Sequence, residues 1–195
     1  MRQALTQAKR AGDRGEVPVG AVVVSGGKVL SRGYNRPVSR NDPTAHAEVV
    51  AIRKAGRRRG NYRLVGCDLY VTLEPCAMCL GAAVQARLRR VVFGALDPKS
   101  GAVRSVMRFP FRKMNHRPEL KGGLLAEECS RALKGFFVSQ RVAPCNGHFR
   151  RSRRGGRVVE GDGLENRYPE QSGSWVRIPP SPPVQSPGVK RHQRT

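Results

Sequence analysis

The chain has 195 residues, room for one domain and an appended segment. Its 37 Lys and Arg outweigh 14 Asp and Glu, and the formal charge of +23 points to a polyanionic partner, nucleic acid ahead of an anionic membrane. No apolar run approaches the roughly 20 residues of a membrane span, and the first residues hold no signal-peptide core. The cysteines (Cys67, Cys76, Cys79, Cys129, Cys145) are odd in number and unevenly spaced. They fit a reduced compartment with metal-binding or catalytic thiols better than a disulfide scaffold.

Ala4, Leu5, Ala8 and Ala11 follow helical spacing, which predicts a short amphipathic helix over residues 2–12. Residues 19–24 are rich in valine, Ser25-Gly26-Gly27 is a turn, and 28–34 return as a second strand. Thr44 or Asp42 is placed to cap a helix running through Val49, Val50 and Ile52 to about Ala55. A strand over 69–73 precedes a helix that starts at about Cys76. A strand over 90–95 and a last helix over 124–137 complete the pattern. This order predicts an α/β domain, a sheet covered by helices on both faces.

Composition shifts after Arg141. Residues 142–195 hold seven of the 14 prolines, a basic knot at Arg150, Arg151, Arg153 and Arg154, and no sustained periodicity. They read as a disordered basic tail. Residues 1–141 carry 27 basic and 10 acidic side chains, so the folded part is basic in its own right.

The chemistry concentrates in two short motifs. His46-Ala47-Glu48 opens the second helix, and Pro75-Cys76-Ala77-Met78-Cys79 ends a strand and opens the next helix. Zinc takes imidazole and thiolate in tetrahedral sites, and a catalytic site leaves one position for water. A C-x-x-C pair at a helix N-terminus suits this, because the helix dipole and free N–H groups stabilise thiolates. His46, Cys76 and Cys79 are therefore candidate zinc ligands, and Glu48 is the candidate proton carrier of a hydrolytic centre. A purely structural zinc would need a fourth ligand, for which His116 or Cys129 is available.

H-x-E followed by P-C-x-x-C is the signature of zinc-dependent nucleobase deaminases, and the chain resembles that family. The likeness extends through GEVPVGAVVV (15–24), DPTAHAE (42–48), LYVTLEPCAMC (69–79), RVVFGALDPKSGA (90–102) and ECSRALKGFF (128–137). These segments look like the bacterial tRNA-acting adenosine deaminases and cover residues 1–141. The resemblance implies a deaminase domain over 1–141 with a cytidine-deaminase-like three-layer α/β/α sandwich and a mixed sheet of about five strands. It implies one Zn2+ per subunit, a cytoplasmic homodimer, and a tRNA anticodon stem-loop as substrate, with no membrane partner. The reaction implied is hydrolysis of adenosine to inosine at the wobble position of an arginine tRNA with anticodon ACG. It assigns substrate contacts to Val19 and Leu73 at the base pocket, Asn35 and Asp97 on the nucleotides, and Phe137 as a stacking platform.

Two segments depart from the family pattern. VRSVMRFPFRK (103–113) stands where the family has an apolar, leucine-rich stretch near its dimer and tRNA surfaces. The tail from Gly156 to Pro183 has no family counterpart and reads as translated DNA resembling a serine tRNA gene. The resemblance also begins partway along the family's first helix, which points to an earlier natural start. The rivals are a deaminase of free bases or nucleosides and a non-catalytic zinc domain that binds RNA. The basic surface argues against the first and Glu48 against the second.

Overall fold

In the computed structural model, which describes residues 1–142, the chain folds as α1 (Arg2–Gly12), β1 (Gly20–Ser25), β2 (Lys28–Tyr34), α2 (Pro37–Arg40) and α3 (Ala47–Arg59). It continues as β3 (Cys67–Leu73), α4 (Ala77–Gln85), β4 (Arg90–Ala95), a 3-10 turn (Phe111–Lys113), β5 (Glu119–Lys121) and α5 (Ala126–Val142). The five strands form one sheet in the order β2-β1-β3-β4-β5. β1 pairs antiparallel with β2 and β3, while β3–β4 and β4–β5 are parallel. The sheet is therefore mixed, as expected.

Helices cover both faces. α1 lies on β1 and β2 and touches α5, which packs on β4. α3 lies on β2 and β1 and touches α4. The close approach has a simple cause at two glycines. A Cβ at Gly20 would collide with the Ala4 carbonyl, and one at Gly33 with the Ala47 carbonyl. Alanines on the facing helices (Ala4, Ala8, Ala47, Ala51) complete the fit and are fully buried. Beneath α3 and α4 the core is Leu64, Leu69, Val71, Leu88, Val91 and Phe93.

The register gathers one end of the sheet. Leu73 pairs with Ala95 across the parallel strands, so the chain leaves β3 and β4 at the same edge. β1 runs against β3, and the Gly20 amide donates to Thr72 Oγ1 at 3.1 Å. Gly20 pairs in turn with Tyr34. Val19, Asn35, Leu73 and Asp97 thus flank these strand ends together.

Several expectations are corrected. Neither Thr44 nor Asp42 caps α3; its N-cap is His46, and Asp42 instead accepts the Thr44 amide in a local turn at 2.8 Å. α3 runs past Ala55 to Arg59 and stops at Gly60, where φ is 64°. β1 starts one residue after Val19 and β3 two residues before Leu69. The last helix begins at Ala126 and ends at Val142, beyond the expected Phe137. The expected basic tail covers residues 142–195, of which only Val142 lies within the described residues. No helix among the described residues is long and apolar enough to cross a membrane.

Candidate active site

His46 and Cys76 are the N-caps of α3 and α4, and neither position caps its helix with a side-chain hydrogen bond. Both side chains are turned to another use. His46 Nδ1 lies 3.7 Å from Cys76 Sγ and 3.6 Å from Cys79 Sγ. A tetrahedral zinc with sulfur at about 2.3 Å and nitrogen at 2.0–2.1 Å has an S···N edge of about 3.6 Å, so the triangle fits that ion. Among the described residues it is the one group of three His, Cys or acidic side chains close enough to share a metal.

His46 and Cys76 are half-buried, while Cys79 lies under them. Neither proposed extra ligand joins the group. His116 Nε2 is 2.7 Å from the Leu88 carbonyl, and Cys129 is buried against Gly94. Three protein ligands match a catalytic centre, in which water takes the fourth position, rather than a closed structural one.

The electrostatics follow from the same geometry. A hydrogen bond from Cys79 and a second partner in His46 pull the Cys76 thiol down to about 4. Cys79, as the donor to Cys76 and buried beside it, is pushed up. His46 is raised by its bond to Cys76. Glu48 sits in the first turn of α3 and is 4% exposed. Burial pushes its carboxyl up to about 7, the Cys76 charge adds to this, and His46 opposes it.

The expected substrate residues fall into two groups. Leu73, Asp97 and Phe137 line one open groove of about 640 Å³, together with Leu96, Lys134 and Arg141. Phe137 is 46% exposed and packs edge-on against Phe136, with ring centroids 5.4 Å apart. Asp97 also serves its own loop, accepting the Lys99 amide at 2.9 Å and the Ser100 hydroxyl at 2.6 Å. Val19 and Asn35 are outside that groove's lining. Val19 is core, and its carbonyl accepts the Asn35 amide at 3.0 Å. Asn35 Oδ1 accepts the Ala47 amide at 2.9 Å, next to His46.

Two arginine clusters of the domain, Arg57-Arg58-Arg59 and Arg89-Arg90, are mostly engaged within the protein. Arg89 and Arg90 both bind Asp68, at the opposite end of β3 from Cys76. Arg58 reaches the Leu30 carbonyl, and Arg59 reaches the Val65 carbonyl and Cys67. Sequence reasoning also missed Glu74, the residue before Pro75-Cys76, which is 2% exposed. Burial would raise its carboxyl, but hydrogen bonds from Ser105, Arg104 and Asp97 hold it below the ordinary range. The only signal was a glutamate abutting a metal motif.

A buried carboxylate within one helical turn of such a triangle, on this sheet, defines the class of zinc-dependent deaminases. Residues 1–95 match the cytidine and deoxycytidylate deaminase zinc-binding region, which accounts for one Zn2+ in this domain. A tRNA-specific adenosine deaminase of Haemophilus influenzae is 49% identical over 145 residues, 72% of this chain and 83% of the relative. The Bacillus subtilis enzyme of that name is 44% identical over 138 residues, 70% of this chain and 86% of its own. The chain belongs to the tRNA-specific adenosine deaminase family.

Solved structures agree. A chain from work on A-to-I editing by tRNA:A34 deaminases at the wobble position superposes with a TM-score of 0.66 at 50% identity. The match covers 68% of this chain and 97% of that one. A guanine deaminase from Nitrosomonas europaea shares the fold, with a TM-score of 0.62 at 20% identity over 70% of this chain and 82% of its own.

Proposed function

We propose that the chain converts adenosine to inosine in tRNA, at the wobble position of an ACG anticodon, by adding water and releasing ammonia. The observation that carries the chemistry is the placement of Glu48 in the first turn of α3, two residues from His46. His46, Cys76 and Cys79 would hold the zinc. When bound, zinc supplies Lewis acidity that brings the pKa of water toward neutrality. Glu48 takes the proton that the attacking water gives up at C6 of the purine. It passes that proton to the ring nitrogen, then takes the proton of the new C6 hydroxyl and delivers it to the departing amine, which leaves as ammonia. A carboxyl near neutrality serves both directions, because it neither holds nor releases the proton too strongly.

Asn35 holds the target nucleotide against the start of α3, and Val19 and Leu73 shape the pocket for the base. Asp97 contacts the neighbouring sugar, and Phe137 stacks on a splayed base. The loop of a hairpin already presents unstacked bases, so extrusion costs little. The excess of basic residues in 1–141 supplies attraction to phosphates. The active species is a cytoplasmic homodimer, and the deaminase domain spans 1–141 with the basic segment 142–195 as a dispensable tail.

The test is incubation of the zinc-loaded chain with an ACG anticodon stem-loop, reading inosine by mass spectrometry. Inosine confined to the wobble position is the expected result. Conversion of free guanine or cytidine, with the stem-loop untouched, would move the chain to the small-substrate deaminases.

A further inference from the structure

Glu74 takes no part in the proton transfers, yet it accepts more hydrogen bonds than any other carboxylate among the described residues. Its Oε1 receives the amides of Val103 (2.9 Å), Arg104 (2.7 Å) and Ser105 (3.1 Å). Its Oε2 receives the Asp97 amide at 3.1 Å and the Ser105 hydroxyl. A buried carboxylate is expensive unless its lone pairs are filled, and here five donors fill them.

Every one of those donors lies in one loop. That loop, residues 96–105, leaves β4 and carries Leu96, Asp97, Pro98, Lys99 and Ser100 along the groove wall. The backbone repeats the attachment. The Glu74 amide donates to the Ala95 carbonyl at 2.8 Å, and the Ala102 amide to the Pro75 carbonyl at 2.9 Å. There is no slack at the crossing. A Cβ at Gly101 would lie 2.5 Å from the Glu74 carboxylate, so the loop closes on it only with glycine there.

Glu74 sits between Leu73, which lines the groove, and Pro75-Cys76, which leads into α4. One side chain therefore joins the groove wall to the segment bearing two of the three metal-ligand candidates. We infer that Glu74 is a positioning residue for the RNA substrate: it clamps the 96–105 loop so that the groove meets the nucleotides beside the reacting base. This rests on the function proposed above. The groove suits such a ligand, pairing apolar surface from Leu96, Phe137 and Val138 with the cations Lys99, Lys134 and Arg141.

The experiment compares wild type, Glu74→Gln and Ser105→Ala as zinc-loaded full-length chains on the ACG stem-loop. Glutamine keeps one oxygen for the three Oε1 donors but turns an N–H2 toward the Asp97 amide. KM should rise about ten-fold while kcat stays within about three-fold, with one zinc per chain. Ser105→Ala removes one donor pair and should raise KM less, in the same direction. A folded, zinc-loaded Glu74→Gln with unchanged KM, or one losing kcat alone, overturns the inference. If Glu74→Gln does not fold, Ser105→Ala decides it by the same criterion. Failure of the functional reading would show separately, as absence of inosine with the wild-type chain.

Discussion

The side-chain oxygen of Asn35 accepts the amide proton of Ala47 at 2.9 Å, and Ala47 is the first residue of the helix that carries Glu48. First-turn amides have no partner inside their helix, and His46, the N-cap, offers none. Asn35 thus caps α3 from a distant strand end. Its Nδ2 has no protein partner among the described residues, which leaves a donor for substrate.

Two substitutions separate these roles. Asn35→Asp keeps the acceptor for Ala47 and loses the donor; Asn35→Ala loses both. Asn35→Ala should cost about 1 kcal/mol of stability and Asn35→Asp almost none. Both should lower kcat/KM on the stem-loop by about 10- to 100-fold. Wild-type activity in Asn35→Asp would confine Asn35 to the helix start.

Glu48→Gln replaces the proposed proton carrier with an isostere. Turnover should fall by about 10²- to 10⁴-fold. Zinc content, measured by atomic emission, should stay at one per chain, since the carboxylate is outside the ligand triangle. Thermal stability should hold or rise, because a buried carboxyl pushed up to about 7 is replaced by a neutral amide. Substantial turnover in this variant would remove Glu48 from the chemistry.

How far the sequence alone reveals these features depends on how local their causes are. α1, β2 and β4 were legible to the residue, since apolar spacing and a Ser-Gly-Gly turn are local signals. β5 was not: Glu119-Leu120-Lys121 has one apolar residue and is a strand because it pairs with Arg90-Val91-Val92. α2 is four residues headed by Pro37, too short for periodicity to register. His46, Cys76, Cys79 and Glu48 were legible because motif spacing at helix starts fixes their meeting. Glu74 was hidden because its partners lie 23 to 31 positions onward, where only the folded loop reveals them.

Metal removal should expose the asymmetry of the two thiols. With the Cys76 thiol pulled down to about 4 and Cys79 pushed up beneath it, the stripped protein presents one thiolate at neutral pH. Iodoacetamide should therefore label Cys76 first after chelation, and added zinc should block the label. Chelation should also lower the thermal midpoint and abolish inosine formation, both restored by zinc. Peptide mapping that finds Cys79 modified ahead of Cys76 would contradict this geometry.

At the end of the sheet away from the site, Asp68 takes Arg89 at 2.9 and 2.8 Å and Arg90 at 2.6 Å. Hydrogen bonds from Arg89, then Arg90, hold its carboxyl below the ordinary value against the cost of burial. A carboxyl depressed on folding adds stability that is complete above its unfolded pKa of about 3.9 and is lost as pH falls through the lower folded value. Asp68→Asn should therefore cost about 1–2 kcal/mol at pH 7, toward the low end for charge-assisted bonds because Arg89 is largely in solvent. Urea melts should show the gap between wild type and variant closing below about pH 4, as the wild-type carboxyl takes its proton. A gap that persisted undiminished there would assign Asp68 to packing rather than to charge.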